Sequence, residues 1–283
     1  MSLSPLPQII FESLVRAALI EDLGRAGDIT TDAIAPADLA IAGAFVSRQA
    51  GVIAGLDLAR LAFTLMDPKT VFEIERPDGA AVGAGETVAR VSGPARGILG
   101  AERVALNFLS RLSGVASATA ALVASVAGTK ARIVCTRKTT PTFRAIEKYA
   151  VRAGGGANHR FGLDDAVLIK DNHVAVAGGI VPAIRRAKAY VGHLVKIEVE
   201  VDTLAQLDEA LAEGVDAVLL DNMDLDDLRR AVDRIAGRAI SEASGRVTPQ
   251  SAPAIAATGV DLISVGWLTH SAPILDVGLD LAC

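Results

Sequence analysis

Three cations stand where apolar runs turn polar, and a fourth follows a run of glycines. Arg137 and Lys138 follow Ile133-Val134-Cys135, Arg160 follows the glycine run at 154–156, and Lys170 follows Ala166-Val167-Leu168-Ile169. A planar guanidinium grips a carboxylate or phosphate at two points, whereas an ammonium acts as a mobile point charge. Between Lys130 and Lys170, nine Lys and Arg face three Asp and Glu in a chain of net charge −5. A basic stretch inside an acidic protein reads as a focused site for small anions, the plainer alternative being a solvated basic face. The overall charge argues against nucleic-acid binding.

Other groups complete the inventory. Thr136 and His159 adjoin the cations, and Glu200 and Asp221 supply carboxylates suited to ribose hydroxyls or Mg²⁺. Ser244-Gly245-Arg246 and Ser264-Val265-Gly266 offer hydroxyls and backbone N–H groups of the kind that bind phosphate monoesters. In Val195–Val201 the residues alternate, so Lys196, Glu198 and Glu200 share one face. Pointing into a barrel, that face needs a ligand or an internal Lys196–Glu198 ion pair. Gly154, Gly155 and Gly156 suit either a close backbone approach to a ligand or a plain turn. Glu147, Lys148 and Arg152 read as the solvated face of a helix. Arg103, Asn107 and Arg111 recur every fourth residue as a polar stripe. Such a stripe is usually surface, but it can also project an arginine into a neighbouring subunit.

The elements that must hold these groups fall into two textures. A helix is expected over Pro7–Leu23, a loop over Gly27–Asp32, and a helix over Leu56–Met66 between short strands with tight turns. A long helix follows over about 97–127. Beyond Ala131 the pattern repeats strand then helix, with strands at 133–135, 166–169, 195–201, 217–220, 239–240 and 262–265 and helices at 204–213 and 225–235. Such spacing suits βαβ units, and without a Rossmann glycine signature it favours a closed or nearly closed α/β barrel. Parallel strands deliver all their C-terminal ends, and hence the polar groups, to one face. The division expected is residues 1–112 as a helix plus β module, 113–270 as the barrel, and 271–283 returning to the first part.

At 283 residues the chain can bury one large or two modest cores. The charge-free stretch Leu112–Thr129 is interrupted by Ser, Thr and Gly and reads as a buried helix, not a membrane span. Cys135 and Cys283 are too few for a metal site and unsuited to a disulfide. The first residues lack a signal-peptide pattern, so a cytoplasmic protein without membrane association is expected.

Taken together, these segments resemble the quinolinate phosphoribosyltransferase family. The resemblance runs in order through Glu21-Asp22-Leu23-Gly24, Gly27-Asp28-Ile29-Thr30-Thr31 and Glu102-Arg103-Val104-Ala105-Leu106-Asn107. It is most specific from Thr136-Arg137-Lys138-Thr139-Thr140-Pro141 through His159-Arg160 to Lys170-Asp171-Asn172-His173. Glu198-Val199-Glu200, Leu220-Asp221-Asn222-Met223, Glu242-Ala243-Ser244-Gly245 and Ser264-Val265-Gly266 complete it.

The resemblance implies an α/β chain: an N-terminal open β-sandwich (an α+β module) and an incomplete parallel α/β barrel, assembled as a homodimer or hexamer. It implies Mg²⁺-dependent transfer of phosphoribosyl from phosphoribosyl pyrophosphate to quinolinate, with decarboxylation. The products are nicotinate mononucleotide, pyrophosphate and CO₂, a step of NAD biosynthesis. By the same resemblance Arg137, His159, Arg160 and Lys170 hold quinolinate, with Thr136 alongside, and Lys138 faces the pyrophosphate. Glu200 and Asp221 hold the ribose and its magnesium, and Lys138, Lys170, Glu200 and Asp221 are the catalytic set. Ser244, Gly245, Ser264, Val265 and Gly266 receive the 5-phosphate, and Arg103 reaches the neighbour's site. Arg246 stands where the family often has a second glycine, and Trp267 where it usually has a small residue.

Three other readings compete. A class I aldolase would use Lys170 as a Schiff base. A paralogue encoded with molybdate transporters shares the family's outline. A non-catalytic sensor would bind phosphoribosyl pyrophosphate without releasing CO₂.

Overall fold

The computed structural model describes residues 3–281, so Cys283 lies outside the described residues. Of these, residues up to Ala120, Thr140–Gly155 and Ser271 onward form one compact unit; Ala121–Thr139 and Gly156–His270 form the other. The first unit thus takes residues 113–120 and 140–155, which a division at 112 leaves with the barrel.

In chain order the elements begin with a 3₁₀ turn at Gln8–Ile10, α1 (Glu12–Leu23), α2 (Ile29–Ile34), β1 (Ala40–Ser47), β2 (Gly51–Val52) and α3 (Leu56–Met66). Next come β3 (Val71–Ile74), β4 (Ala81–Val82), β5 (Thr87–Pro94), α4 (Ala95–Ser125), β6 (Arg132–Val134) and α5 (Arg144–Ala153). The chain continues with β7 (Val167–Ile169), α6 (Asp171–Ala177), α7 (Ile180–Tyr190), β8 (Ile197–Val201), α8 (Leu204–Glu213) and β9 (Ala217–Asp221). It closes with α9 (Leu225–Ile235), β10 (Ile240–Ser244), α10 (Ala252–Ala256), β11 (Leu262–Ser264), α11 (Trp267–His270) and β12 (Val277–Leu281).

The first unit is built on an antiparallel sheet of order β12-β1-β5-β3, with β2 and β4 as a separate pair. Phe45, Phe63 and Phe72 meet edge-on or stacked at centroid distances of 5.5–5.8 Å and fix α3 against the sheet. The stretch expected to be a loop at Gly27–Asp32 instead opens α2. Asp28 caps it by accepting the Thr31 N–H at 3.0 Å, satisfying a donor the first turn leaves open. Helix α4 is long and apolar enough to cross a membrane by length and composition. Its residues Ile98, Ala101, Ala105, Leu109, Leu112 and Val115, three or four apart, are fully buried, as in a core helix.

Two expectations in this unit are corrected. Glu147 and Lys148 are not a solvated face: both are buried, and only Arg152 is exposed. Glu147 accepts from Arg111 Nη2 at 2.8 Å and from Thr140 at its N–H and hydroxyl. Gly154 serves neither a ligand nor a plain turn. A Cβ there would collide with the Ala116 carbonyl of α4, so its absence lets two backbones meet.

The second unit is a parallel six-stranded sheet of order β6-β11-β10-β9-β8-β7, with β6 and β7 at its edges. A mixed α/β chain with an unclosed parallel barrel and an antiparallel module is therefore the architecture. The helices begin where side chains can cap them: Thr203 accepts from Gln206 N–H, and Asp224 from Asp227 N–H. At the strands' N-terminal ends, Asp216 bonds the Ile197 N–H and pairs with Lys196, while Asp261 bonds the Ser241 N–H and pairs with Lys130. The internal Lys196–Glu198 pair is thereby overturned. Lys196 lies before β8, exposed, and a carboxylate from the neighbouring strand reaches it first.

Candidate functional site

At the C-terminal ends of the parallel strands lies a cavity of about 680 Å³. Its walls include Thr136, Arg137, Lys138, His159, Arg160, Lys170, Glu200 and Asp221. Ser244, Gly245, Arg246, Ser264, Val265 and Gly266 line it too. Residues separated by 130 positions in sequence converge because six parallel strands end together.

The cations are held by backbone. The segment after α5 runs beside β6, where Ala157 N–H bonds the Ile133 carbonyl at 2.9 Å and Cys135 N–H bonds the Ala157 carbonyl at 3.1 Å. That pairing delivers His159 and Arg160 next to Arg137. Arg160 Nη1 donates to the Ala166 carbonyl at 3.0 Å, while its buried Nε has no hydrogen-bond partner. Burial first, then the Arg137 charge, push the Arg160 guanidinium below its usual range. Two arginines crowded this way repel, and a dianion between them would offset the repulsion.

Lys138 is positioned from both sides. Its N–H donates to Thr136 Oγ1 at 3.0 Å, and its carbonyl accepts from Thr269 Oγ1 at 2.7 Å. A Cβ on Gly266 would lie 2.9 Å from Lys138 Cδ, so the glycine makes room for the lysine stem. Lys170 follows β7 and its Nζ sits 2.9 Å from Glu200 Oε2. Asn222, at φ 52°, donates its amide to Asp221 Oδ2 at 2.6 Å and so fixes that carboxylate.

Two turns after β10 and β11 also line the cavity. Gly245 has φ 112°, and a Cβ there would strike the Asn222 amide oxygen, so glycine is obligatory. Arg246 follows at φ 44°, a left-handed conformation that is uncommon for a side-chain-bearing residue. Trp267 donates its indole N–H to the Val247 carbonyl at 2.9 Å, which ties the two turns together.

His159 and Glu242 line the cavity, and Glu198 lies against His159. His159 Nε2 lies 2.8 Å from Glu198 Oε2 and 3.7 Å from Glu242 Oε1. Glu242 is 1% exposed, and burial followed by the Glu198 charge pushes its carboxyl up to about 7. Among the residues named from the sequence as binding, only Arg103 is outside the cavity lining. It lies exposed on α4 in the first unit, as does Asn107, whereas Arg111 is taken up by Glu147. Glu242 was missed as a site residue because β10 was expected to end at Ile240. The polar run Ser241-Glu242-Ala243-Ser244 is strand because Ser241 pairs with Asp261 and the alternating Glu242 and Ser244 face the cavity.

Known proteins resemble the chain over nearly its whole length. The family model described as the quinolinate phosphoribosyl transferase N-terminal domain matches residues 28–113, and the C-terminal domain model matches 115–280. The nicotinate-nucleotide pyrophosphorylase [carboxylating] of Mycobacterium leprae is 47% identical over 274 residues, covering 94% of this chain and 95% of that protein. Among solved structures, NadC from Streptococcus pyogenes has a TM-score of 0.95 at 41% identity, covering 99% of each chain. The nicotinate-nucleotide pyrophosphorylase from Francisella tularensis also has a TM-score of 0.95, at 38% identity, covering 100% of this chain and 99% of that one.

Proposed function

Because the chain belongs to the quinolinate phosphoribosyltransferase family, whose members are phosphoribosyl-transferring enzymes of NAD biosynthesis, we propose that this cavity binds quinolinate and phosphoribosyl pyrophosphate together and joins them. The observation that carries the reading is the convergence of Arg137, Lys138, Arg160 and Lys170 on one cavity that also holds Glu200 and Asp221. Quinolinate is a dianion and phosphoribosyl pyrophosphate is more negative still, and four cations in one concave site match that demand.

In this reading Arg137, Arg160 and Lys170 grip the quinolinate carboxylates beside His159, and Thr136 borders them. Lys138 faces the pyrophosphate, and the Ser244-Gly245-Arg246 and Ser264-Val265-Gly266 turns take the 5-phosphate. The bond from C1 of the ribose to pyrophosphate breaks with its electron pair leaving on oxygen. Glu200 and Asp221 stabilise the positive charge that develops on the ring. The quinolinate nitrogen then bonds to C1. The resulting pyridinium stabilises the carbanion left when the adjacent carboxylate departs as CO₂, and a proton replaces it. No covalent enzyme intermediate is required.

Glu200 and Asp221 are hard oxygen donors on the cavity wall, and such donors fit a magnesium ion shared with substrate phosphates. When bound, the ion would supply charge that neutralises the departing pyrophosphate. A shared site, with Arg103 of one subunit reaching its neighbour in a homodimer or hexamer, belongs to the same proposal; the exposure of Arg103 on α4 supports it. A cytoplasmic setting belongs to the same proposal, and the burial of the apolar residues of α4 fits it.

The aldolase alternative is disfavoured by one observation. Lys170 is 48% exposed and ion-paired to Glu200, unlike the desolvated amine that Schiff-base chemistry uses. The deciding experiment follows nicotinate mononucleotide and CO₂ from quinolinate, phosphoribosyl pyrophosphate and Mg²⁺, with nicotinate as the control substrate. Formation of both products with quinolinate, and not with nicotinate, supports the proposal. Binding without CO₂ release would leave a sensor, and overturn it.

A further inference from the structure

We propose that Glu242 is a positioning residue for quinolinate binding: with Glu198 it clamps the His159 ring, which in turn holds Arg160 against the anion. The inference rests on the function proposed above and goes beyond it by taking His159 off the substrate.

Hydrogen bonding fixes the ring's tautomer. Arg160 N–H donates to His159 Nδ1 at 2.7 Å, so Nδ1 carries no proton. The proton is therefore on Nε2, which donates to Glu198 Oε2 at 2.8 Å. Both ring nitrogens are committed inside the protein, and neither is left to donate to a carboxylate of the substrate. The path to the ligand runs instead through the Arg160 backbone.

Glu242 lies beside that pair, its Oε1 3.7 Å from His159 Nε2. Its Oε1 is buried without a hydrogen-bond partner, and its carboxylate, that of Glu198 and the imidazole all lie within 4.8 Å of one another. Two buried carboxyls so close do not both ionise cheaply. The upward shift of Glu242 agrees with its being the member that keeps a proton. Glu198 is the member that bonds the ring. The same Glu198 charge also acts on Arg160, where it favours the charged guanidinium. Removing Glu242 opens a hole behind Glu198, frees it to swing from His159, and loosens Arg160. A divalent metal in this cluster is disfavoured because Nε2 would have to give up its proton and Nδ1 its backbone bond.

The test compares Glu242→Ala with Glu242→Gln, an isostere of the protonated acid. The alanine variant should raise KM for quinolinate about tenfold while KM for phosphoribosyl pyrophosphate stays within about twofold, and glutamine should restore the quinolinate KM to within about threefold of the parent. Equal rises in both KM values, or an unchanged quinolinate KM in a folded alanine variant, would overturn the inference.

Imidazole ¹⁵N NMR of the unaltered protein, assigned with His159→Gln, keeps the idea testable should the alanine variant not fold. A neutral Nε2–H ring with and without quinolinate is expected. Conversion to imidazolium, or a tautomer change, on adding quinolinate would mean direct contact and defeat it. Turnover by the unaltered protein tests the parent proposal separately, and the ring's tautomer in the free protein is read either way.

Discussion

Lys170 Nζ and Glu200 Oε2 are 2.9 Å apart across neighbouring strands β7 and β8, at the mouth of the cavity. The pair joins a cation suited to a substrate carboxylate with a carboxylate suited to a developing positive charge. Because Lys170 is half exposed, the pair itself adds little to stability. Its expected value is in placing two charges.

Lys138→Ala and Lys170→Ala should therefore each lower kcat/KM by about a hundredfold or more while leaving the melting temperature within about 2 °C. Steady-state kinetics alongside calorimetry checks both halves. Turnover like the parent's in either variant counts against the assigned roles.

Arg103→Ala and Lys138→Ala subunits, each inactive alone, should regain activity when mixed. A mixed dimer has one site with neither lesion, so about half of the parent's sites are restored in each heterodimer. Activity in purified heterodimers is the measurement, and its absence removes Arg103 from the neighbour's site.

Trp267→Phe keeps the ring's bulk but loses the bond to the Val247 carbonyl. One neutral hydrogen bond is worth about 1 kcal/mol, so KM for phosphoribosyl pyrophosphate should rise about fivefold with little change for quinolinate. A selective effect on quinolinate would contradict the placing of the phosphate at these turns.

Glu147→Ala should destabilise the fold by about 3 kcal/mol, since it removes a fully buried carboxylate that accepts from the half-buried Arg111 guanidinium and from two Thr140 donors. Denaturant unfolding reads this directly. A loss under about 1 kcal/mol would show that water replaces the carboxylate.

The buried Glu242 gives a pH dependence of definite sign. Its folded-state affinity for a proton exceeds the unfolded one, with the value raised from 4.5 to about 7. The stabilisation linked to that proton is complete below pH 4.5 and is lost as pH rises toward 7. Glu242→Gln removes this component, so the decline in melting temperature across that window should flatten. An unchanged slope in the variant would mean that Glu242 holds no proton there.

Much of the chain could be read from residues close in sequence. The expected helices at Leu56–Met66, Leu204–Glu213 and Leu225–Ile235 coincide with α3, α8 and α9 because apolar period and capping side chains are local signals. The cations Arg137, Lys138 and Lys170 were recognisable at strand ends and Arg160 after the glycine run, and all four line one cavity, because parallel strands leave their ends no other side.

What depended on distant partners was decided only by the tertiary structure. Lys196 and Glu198 alternate correctly, yet one binds Asp216 and the other His159, since a charge pairs with whichever opposite group the fold brings nearest. Glu147 looked solvated until Arg111 and Thr140 arrived beside it, and the strand expected at 239–240 runs on to Ser244 with Ser241 bonded to Asp261. Local sequence sets backbone period and capping through neighbours a few residues apart. The cost of burying a polar group is settled by its partner, and that partner's place in the sequence carries no local mark.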